Sequence, residues 1–510
     1  MDISSLSFLI YAFAGGVVGA LILYGLWNKN FLRRSGRHRR RNLLGAPVAG
    51  GMSLLLEGIK ALKAHRVLEL SNRRFQEMGV STIHMVFPGG DFHITCQPEN
   101  VKTMLSTDFK RWGLESTRKS TFKFAIGEGI FIAEGARWQH SRALLRPMFA
   151  RSHISDFDIF DSQASHLIDA ILRNDGKVDL KDLFFRLTLD TSLEFLLGDS
   201  TASLAVDTDT NESLNLALHR VEHHIGSGGG DAGIFGWMFP AHRRFVKDVR
   251  IIHAFVDKFI MKRLAHRPQL LQTKSEESSR LIFLDELVKQ TGDKVRIRDE
   301  ILSVLFAGRD TTASLLTNIW FVLSKRPDIW AKLQAEISIL LPDGQKPTFE
   351  QLKSLKYLRA ILNESLRLHP VVPGNVRQAI ENTTLPSGGG PSGDGPIFIP
   401  KGGVVMWDAY AMQRRLDLYG STACDFIPER WLDTTQAKGL RVSWESIPFG
   451  GGPRICLGQQ FAINHASYTI VRMCQTFSSI ASFDPNDEWQ ENITLGICTN
   501  LGGAKVMLRK

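Results

Sequence analysis

The ten residues Phe449–Gly458, which read FGGGPRICLG, constrain this chain more tightly than any other stretch. Three consecutive glycines and a proline continue neither a helix nor a strand, so they force an irregular loop. Directly after it, Gln459–Val471 returns to a helical pattern. Cys456 is thereby held at a helix start, where unpaired N–H groups and the positive end of the helix dipole favour a thiolate. Glycine on both sides lets those N–H groups, and a flat ligand, come close to the sulfur. Arg454 adds a fixed cation suited to a carboxylate. A thiolate presented in this way, without a partner cysteine, suits an axial ligand to a single iron.

The remaining cysteines, Cys96, Cys424, Cys474 and Cys498, have no such surroundings and read as buried, inert thiols. Five widely spaced cysteines do not make a disulfide framework, and no C-x-x-C, C-x-x-C-H or zinc spacing occurs. The chain carries a net charge of +10, with Lys+Arg 62 against Asp+Glu 52. Seven of the cations fall within residues 28–41, NKNFLRRSGRHRRR. Setting these seven and Asp2 aside leaves 55 basic and 51 acidic residues, so the body is close to neutral. Just before the cluster, Ile3 to Trp27 runs 25 residues without a charge. At 1.5 Å per residue that length crosses a bilayer core of about 30 Å. Charge after the apolar run, rather than before it, predicts an uncleaved anchor with its N-terminus in the lumen and the body in the cytosol. The basic cluster then faces anionic lipid head groups, not nucleic acid. The expected organisation is a transmembrane anchor at 1–27, a basic juxtamembrane segment and hinge at 28–50, and one large domain at 51–510.

Helical periodicity dominates that domain, at Ser162–Arg173, Leu214–His224, Phe245–His266, Ile297–Lys325, Ala331–Leu341 and Tyr357–Leu368. Strand signals are short: Thr82–Val86, Phe92–Thr95, Ile397–Ile399 and Gly403–Met406. The glycine-rich Pro386–Pro396 reads as a hairpin tip. The fold class is mostly α with small β-sheets. No P-loop and no strand–GxGxxG–helix unit is present, so the chain brings no nucleotide site of its own.

Three further patterns carry chemistry. Glu364 and Arg367 in ESLR share one helix face as an ion pair. Ile301–Val322 is apolar on every side, yet holds AGRDTT, with Asp310 and Thr311 where a buried helix gains nothing from polar groups. Gly308 there permits a kink, and Thr311 can bond back to the chain. Trp138 and Arg142 in ARWQHSR lie one helical turn apart.

Together, in this order, the F-x-x-G-x-R-x-C-x-G loop, the E-x-x-R helix, Pro428-Glu429-Arg430-Trp431, A-G-x-D-T-T and W-x-x-x-R resemble the cytochrome P450 superfamily over essentially all of the chain after residue 51. The resemblance implies a heme-thiolate monooxygenase domain. Heme b would be bound through Cys456, in the loop opened by Phe449, with its propionates held by Trp138, Arg142, Arg377 and Arg454. It implies that Arg430 joins Glu364 and Arg367 in a structural cluster. It implies that Thr311 orients dioxygen over the iron while Asp310 relays solvent protons to it. Electrons would come from NADPH through a separate flavoprotein reductase, at the endoplasmic reticulum membrane.

GPRICLGQQFA and TLPSGGGPSGDGPIFIPKG look like the fungal alkane and fatty-acid hydroxylase branch. Trp431 and Gln413 depart from that branch, where phenylalanine and histidine are usual, and Gly374 replaces a frequent arginine near the substrate channel. Relatives of this branch in filamentous fungi also oxidise polyketide or terpenoid intermediates, so the resemblance implies an apolar substrate that is either a fatty acid or alkane or such an intermediate. Segments Trp112–Ile132, Ser227–Pro240, Val371–Val376 and Leu495–Asn500 are expected to shape its pocket. A desaturating or rearranging relative, or a non-catalytic membrane heme protein, are the competing readings; the intact Asp310–Thr311 pair argues against the last.

Overall fold

The computed structural model describes residues 43–44, 49–87, 90–150, 157–204, 209–226, 239–272, 282–390, 393–433, 439–486 and 488–510. The expected anchor at Ile3–Trp27 and the basic cluster lie outside these residues, as does most of Ser227–Pro240. Among the described residues no helix is long and apolar enough to cross a membrane.

The chain forms two compact units, the smaller drawn from the chain up to Trp112 together with Val376–Ala411 and the larger from Gly113–Asn375 and Met412–Lys510. The smaller unit is built on strands β1 (Leu43–Leu44), β2 (Thr82–Phe87), β3 (Gly90–Thr95), β4 (Trp112–Gly113), β5 (Gly374–Ala379) and β6 (Val404–Asp408), in sheet order β1-β2-β3-β6-β5-β4. β2 and β3 form an antiparallel hairpin, and β3 runs parallel to β6. The hairpin expected around Pro386–Pro396 is present, with Thr383–Gly389 antiparallel to Gly395–Ile399. Helices α1 (Ala49–Lys63) and α2 (Val67–Met78) lie between β1 and β2 along the chain. Along one face of α1, Met52, Leu55, Leu56, Ile59 and Leu62 stand exposed.

The larger unit is helical. Its main helices are α3 (Gly135–Leu145), α4 (Asp158–Arg173), α5 (Leu180–Leu197), α6 (Asp209–Gly226), α7 (Pro240–Ala265), α8 (Lys294–Leu323), α9 (Pro327–Leu340), α10 (Lys356–Leu368) and α11 (Gln459–Thr476). Each periodic segment found in the sequence is a helix, and several begin earlier than periodicity alone predicts. Pro240 and Pro327 explain two of these starts, because proline at the first helical position loses no hydrogen bond. Asp293 explains a third: its carboxylate caps α8 by accepting from Val295 N–H (2.9 Å) and Arg296 N–H (3.1 Å). α8 runs through the core against α5, with Trp320 wholly buried. The three small sheets outside the first are short and antiparallel. All five cysteines are free; Cys96, Cys474 and Cys498 are buried as expected, whereas Cys424 is exposed.

Candidate active site

The cysteine loop closes on itself before α11 begins. Cys456 N–H donates to the Phe449 carbonyl (3.0 Å), Ile455 N–H to Gly452 (3.0 Å) and Gly450 N–H to Ile447 (3.0 Å). Gly450 (φ +72°) and Gly452 (φ +65°) sit in the left-handed region, where a side chain is costly. The Cys456 side chain is exposed, yet it lies deep enough for desolvation to raise its thiol pKa. The Gly458 N–H and the Arg142 charge pull the other way and are outweighed. The helix start therefore contributes in the expected direction but does not make the thiolate by itself; a bound metal cation deprotonates a coordinating thiol outright.

Two arginines brace this loop from its surroundings. Arg142 Nη1 donates to the Ile455 carbonyl (3.0 Å), which ties α3 to the residue next to the cysteine. Arg454 Nη2 donates to the Ala133 carbonyl (2.8 Å), and its guanidinium lies 4.5 Å from the Trp138 ring centroid. Arg142 approaches the same ring at 6.0 Å. Burial lowers the pKa of Arg142 and brings that of Arg454 down to about 10. Among the described residues neither has an ion pair. Arg118 belongs with them, although sequence patterns did not point to it. Its Nη1 donates to Asn375 Oδ1 (3.0 Å), its Nε is buried without a partner among the described residues, and burial lowers its pKa. Arg377 lies in the smaller unit on β5, its guanidinium 5.2 Å from the Trp407 ring, and its Nη1 donates to the Val376 carbonyl (2.8 Å).

α8 presents one open stripe. From Ile301 to Leu323 every residue is buried except Val304, Ala307, Gly308 and Thr311, which fall on one helical face. Thr311 Oγ1 donates back to the Ala307 carbonyl (2.6 Å), as anticipated. The helix nevertheless remains continuous from Lys294 to Leu323 through Gly308. Asp310 faces away from this stripe and is buried, accepting from Arg309 Nη1 (2.7 Å).

The structural cluster is assembled as expected. Glu364 accepts from Arg367 Nε (2.9 Å) and Nη2 (2.8 Å), from Arg430 Nε (2.9 Å) and from Ile427 N–H (2.9 Å). Trp431 adds an indole N–H to the same carboxylate at 2.9 Å, a bond that phenylalanine could not make. The Gln413 side-chain amide donates to the Leu366 and Arg367 carbonyls (3.2 and 2.9 Å), while its main-chain carbonyl accepts from Arg367 Nη1 (2.8 Å).

A thiol donor on an accessible loop, the Arg142 and Arg454 guanidinium groups held without carboxylate partners among the described residues, and a partly open face on a buried helix match what a flat, dianionic iron macrocycle requires. The cytochrome P450 family model matches residues 59–500. The chain is 40% identical to cytochrome P450 monooxygenase himC of Aspergillus japonicus, over 90% of this chain and 81% of that protein. It is 39% identical to cytochrome P450 52E1 of Candida apicola, over 86% of this chain and 85% of that protein. It is 40% identical to cytochrome P450 52A5 of Candida maltosa, over 83% and 82% respectively.

Proposed function

The chain belongs to the cytochrome P450 family and is a monooxygenase, and from that premise we propose that it is a membrane-anchored oxidase of an apolar organic substrate, with Cys456 as the axial ligand of heme b. The observation that carries this reading is the accessible Cys456 side chain on a loop whose backbone only glycine readily adopts. When bound, the heme-thiolate iron supplies the reduction and cleavage of dioxygen, with one oxygen atom going to the substrate and the other to water.

The chain's own residues do the rest. Phe449 holds the loop closed through its carbonyl and packs against the core. Trp138, Arg142, Arg377 and Arg454, with Arg118, are assigned to the propionates. The stripe Val304–Ala307–Gly308–Thr311 leaves room for dioxygen, and the Thr311 hydroxyl orients it. Asp310 moves protons from solvent toward that hydroxyl.

Residues 1–27 are the anchor, 28–50 the basic hinge and 51–510 the catalytic domain, on the cytosolic side of the endoplasmic reticulum. The exposed apolar face of α1, directly after the basic segment, supports contact with lipid there. Electrons come from NADPH through a flavoprotein reductase. The substrate is a fatty acid or alkane chain, or a polyketide or terpenoid intermediate. Titrating the purified protein with these four classes and following the heme spin state tests this. A high-spin shift with at least one class is expected, and no shift with any of them refutes an apolar substrate.

A further inference from the structure

One guanidinium in the larger unit serves two carboxyl groups from different helices. Arg309, buried on α8, donates from Nη1 to Glu222 Oε1 (3.0 Å) and Oε2 (3.1 Å) on α6 and to Asp310 Oδ1 (2.7 Å). Its Nη2 donates to Asn215 Oδ1 (2.7 Å), and the Phe185 ring lies 5.2 Å from the guanidinium carbon. Glu222 and Asp310 are 2% and 5% exposed, so no bulk water screens them.

Two ionised carboxyl groups on one cation would leave a buried net negative charge, which is costly; one of the pair keeps its proton instead. Burial and the neighbouring Asp310 both push the Glu222 pKa well above the usual carboxylate range. His219 on α6 feels the Arg309 and Asp310 charges, and His223 on α6 and Lys181 on α5 are its other titratable neighbours. His219, one turn before Glu222, is exposed, and burial followed by the Arg309 charge lowers its pKa.

We propose that Glu222 is the proton-holding partner of Asp310 in the monooxygenase reaction. The proposal rests on the assignment of Asp310 as the proton relay. In the step, the Glu222 Oε–H bond breaks and an Asp310 Oδ–H bond forms. Arg309 then pairs with the Glu222 carboxylate in place of the Asp310 carboxylate, so the net charge of the cluster does not change. Contact of Nη1 with both groups lets the guanidinium follow the charge without leaving its place. Solvent supplies the replacement proton to Glu222 once Asp310 has passed its own on.

The test uses the full-length heme protein and its reductase. Infrared spectra at neutral pH should contain a protonated-carboxyl stretch that moves with ¹³C-glutamate labelling and disappears in Glu222→Gln. Burial also raises the pKa of Glu300, so any band from that residue must be told apart from the Glu222 band. Glu300→Gln isolates the Glu222 band should Glu222→Gln fail to fold. Glutamine reproduces the shape and neutrality of protonated glutamate, so a purely structural role leaves coupling intact. The relay instead predicts at least a ~10-fold fall in product formed per dioxygen consumed, with dodecanoate as the probe and hydrogen peroxide making up the difference. Absence of the Glu222 band from the unaltered protein overturns the proposal. Coupled turnover in Glu222→Gln beside uncoupled Asp310→Asn overturns the role of Glu222 alone, whereas coupled Asp310→Asn overturns the Asp310 assignment beneath it.

Discussion

Replacing Glu364 by glutamine removes one charge from a wholly buried carboxylate in the larger unit. The side chains of Glu364 and Arg367 are both 0% exposed, and Arg430 is only 11% exposed. The carboxylate accepts five hydrogen bonds, from Arg367 (two), Arg430, Trp431 and the Ile427 N–H. Glutamine keeps the shape but leaves Arg367 as an uncompensated buried cation, a defect that costs about 3–5 kcal/mol. The Gln413, Ala423 and Asp425 carbonyls still accept from Arg367, which places the loss toward the lower end. Unfolding entropy of about 2 cal/mol/K per residue, over a domain of roughly 450 residues, converts about 3–4 kcal/mol into a melting point lower by roughly 3–4 °C. Trp431→Phe removes one donor while the ion pairs persist, so it should cost about 1 kcal/mol and roughly 1 °C. Far-UV circular dichroism at one scan rate measures both variants. A Glu364→Gln midpoint equal to that of the unaltered protein, or no lower than that of Trp431→Phe, refutes the reasoning.

Other consequences are equally direct. His465 is buried against Phe160 (ring centroids 4.9 Å apart), and burial brings its pKa down to about 3 from 6.5. Between those values the unfolded chain binds the extra proton, so stability falls as pH drops from about 6.5 toward 3. Denaturant titrations should show a shallower acid slope in His465→Gln. Gly129→Ala would set a Cβ 2.5 Å from the Asp299 carbonyl oxygen of α8, a backbone atom that cannot yield, and should cost about 1–3 kcal/mol by thermal melt. Gly90→Ala, with nothing within 4 Å, should change little in the same assay. Deleting residues 1–27 should release the protein from membranes on carbonate extraction, while the full chain stays in the pellet.

What the sequence disclosed depended on how local each signal was. The cysteine loop, the Glu364–Arg367 pair and the Asp310–Thr311 helix are contiguous patterns, and periodicity placed the helices around them. Arg430 was reached only through the family resemblance of Pro428-Glu429-Arg430-Trp431, since no spacing links it to Glu364 across 66 residues. Glu222 was not found: it meets Arg309 across 87 residues, and an acidic residue on an amphipathic helix reads like any solvated one. Arg118 was missed for the same reason, since only burial distinguishes it from the surface cations nearby. The thiol of Cys456 shows the limit of local rules. The helix start favours a thiolate, but desolvation by the surrounding protein, which no local pattern encodes, outweighs it. Gly308 permitted a kink by local rules, yet α8 runs unbroken from Lys294 to Leu323.

The central claim is that Cys456 supplies the iron's axial sulfur. The reduced, carbon-monoxide-bound difference spectrum of the full-length protein tests it most directly. The red-shifted Soret band of a thiolate-ligated heme is expected, and its loss in Cys456→Ser. A band at the position of histidine-ligated heme, or a thiolate band that survives Cys456→Ser, would contradict it.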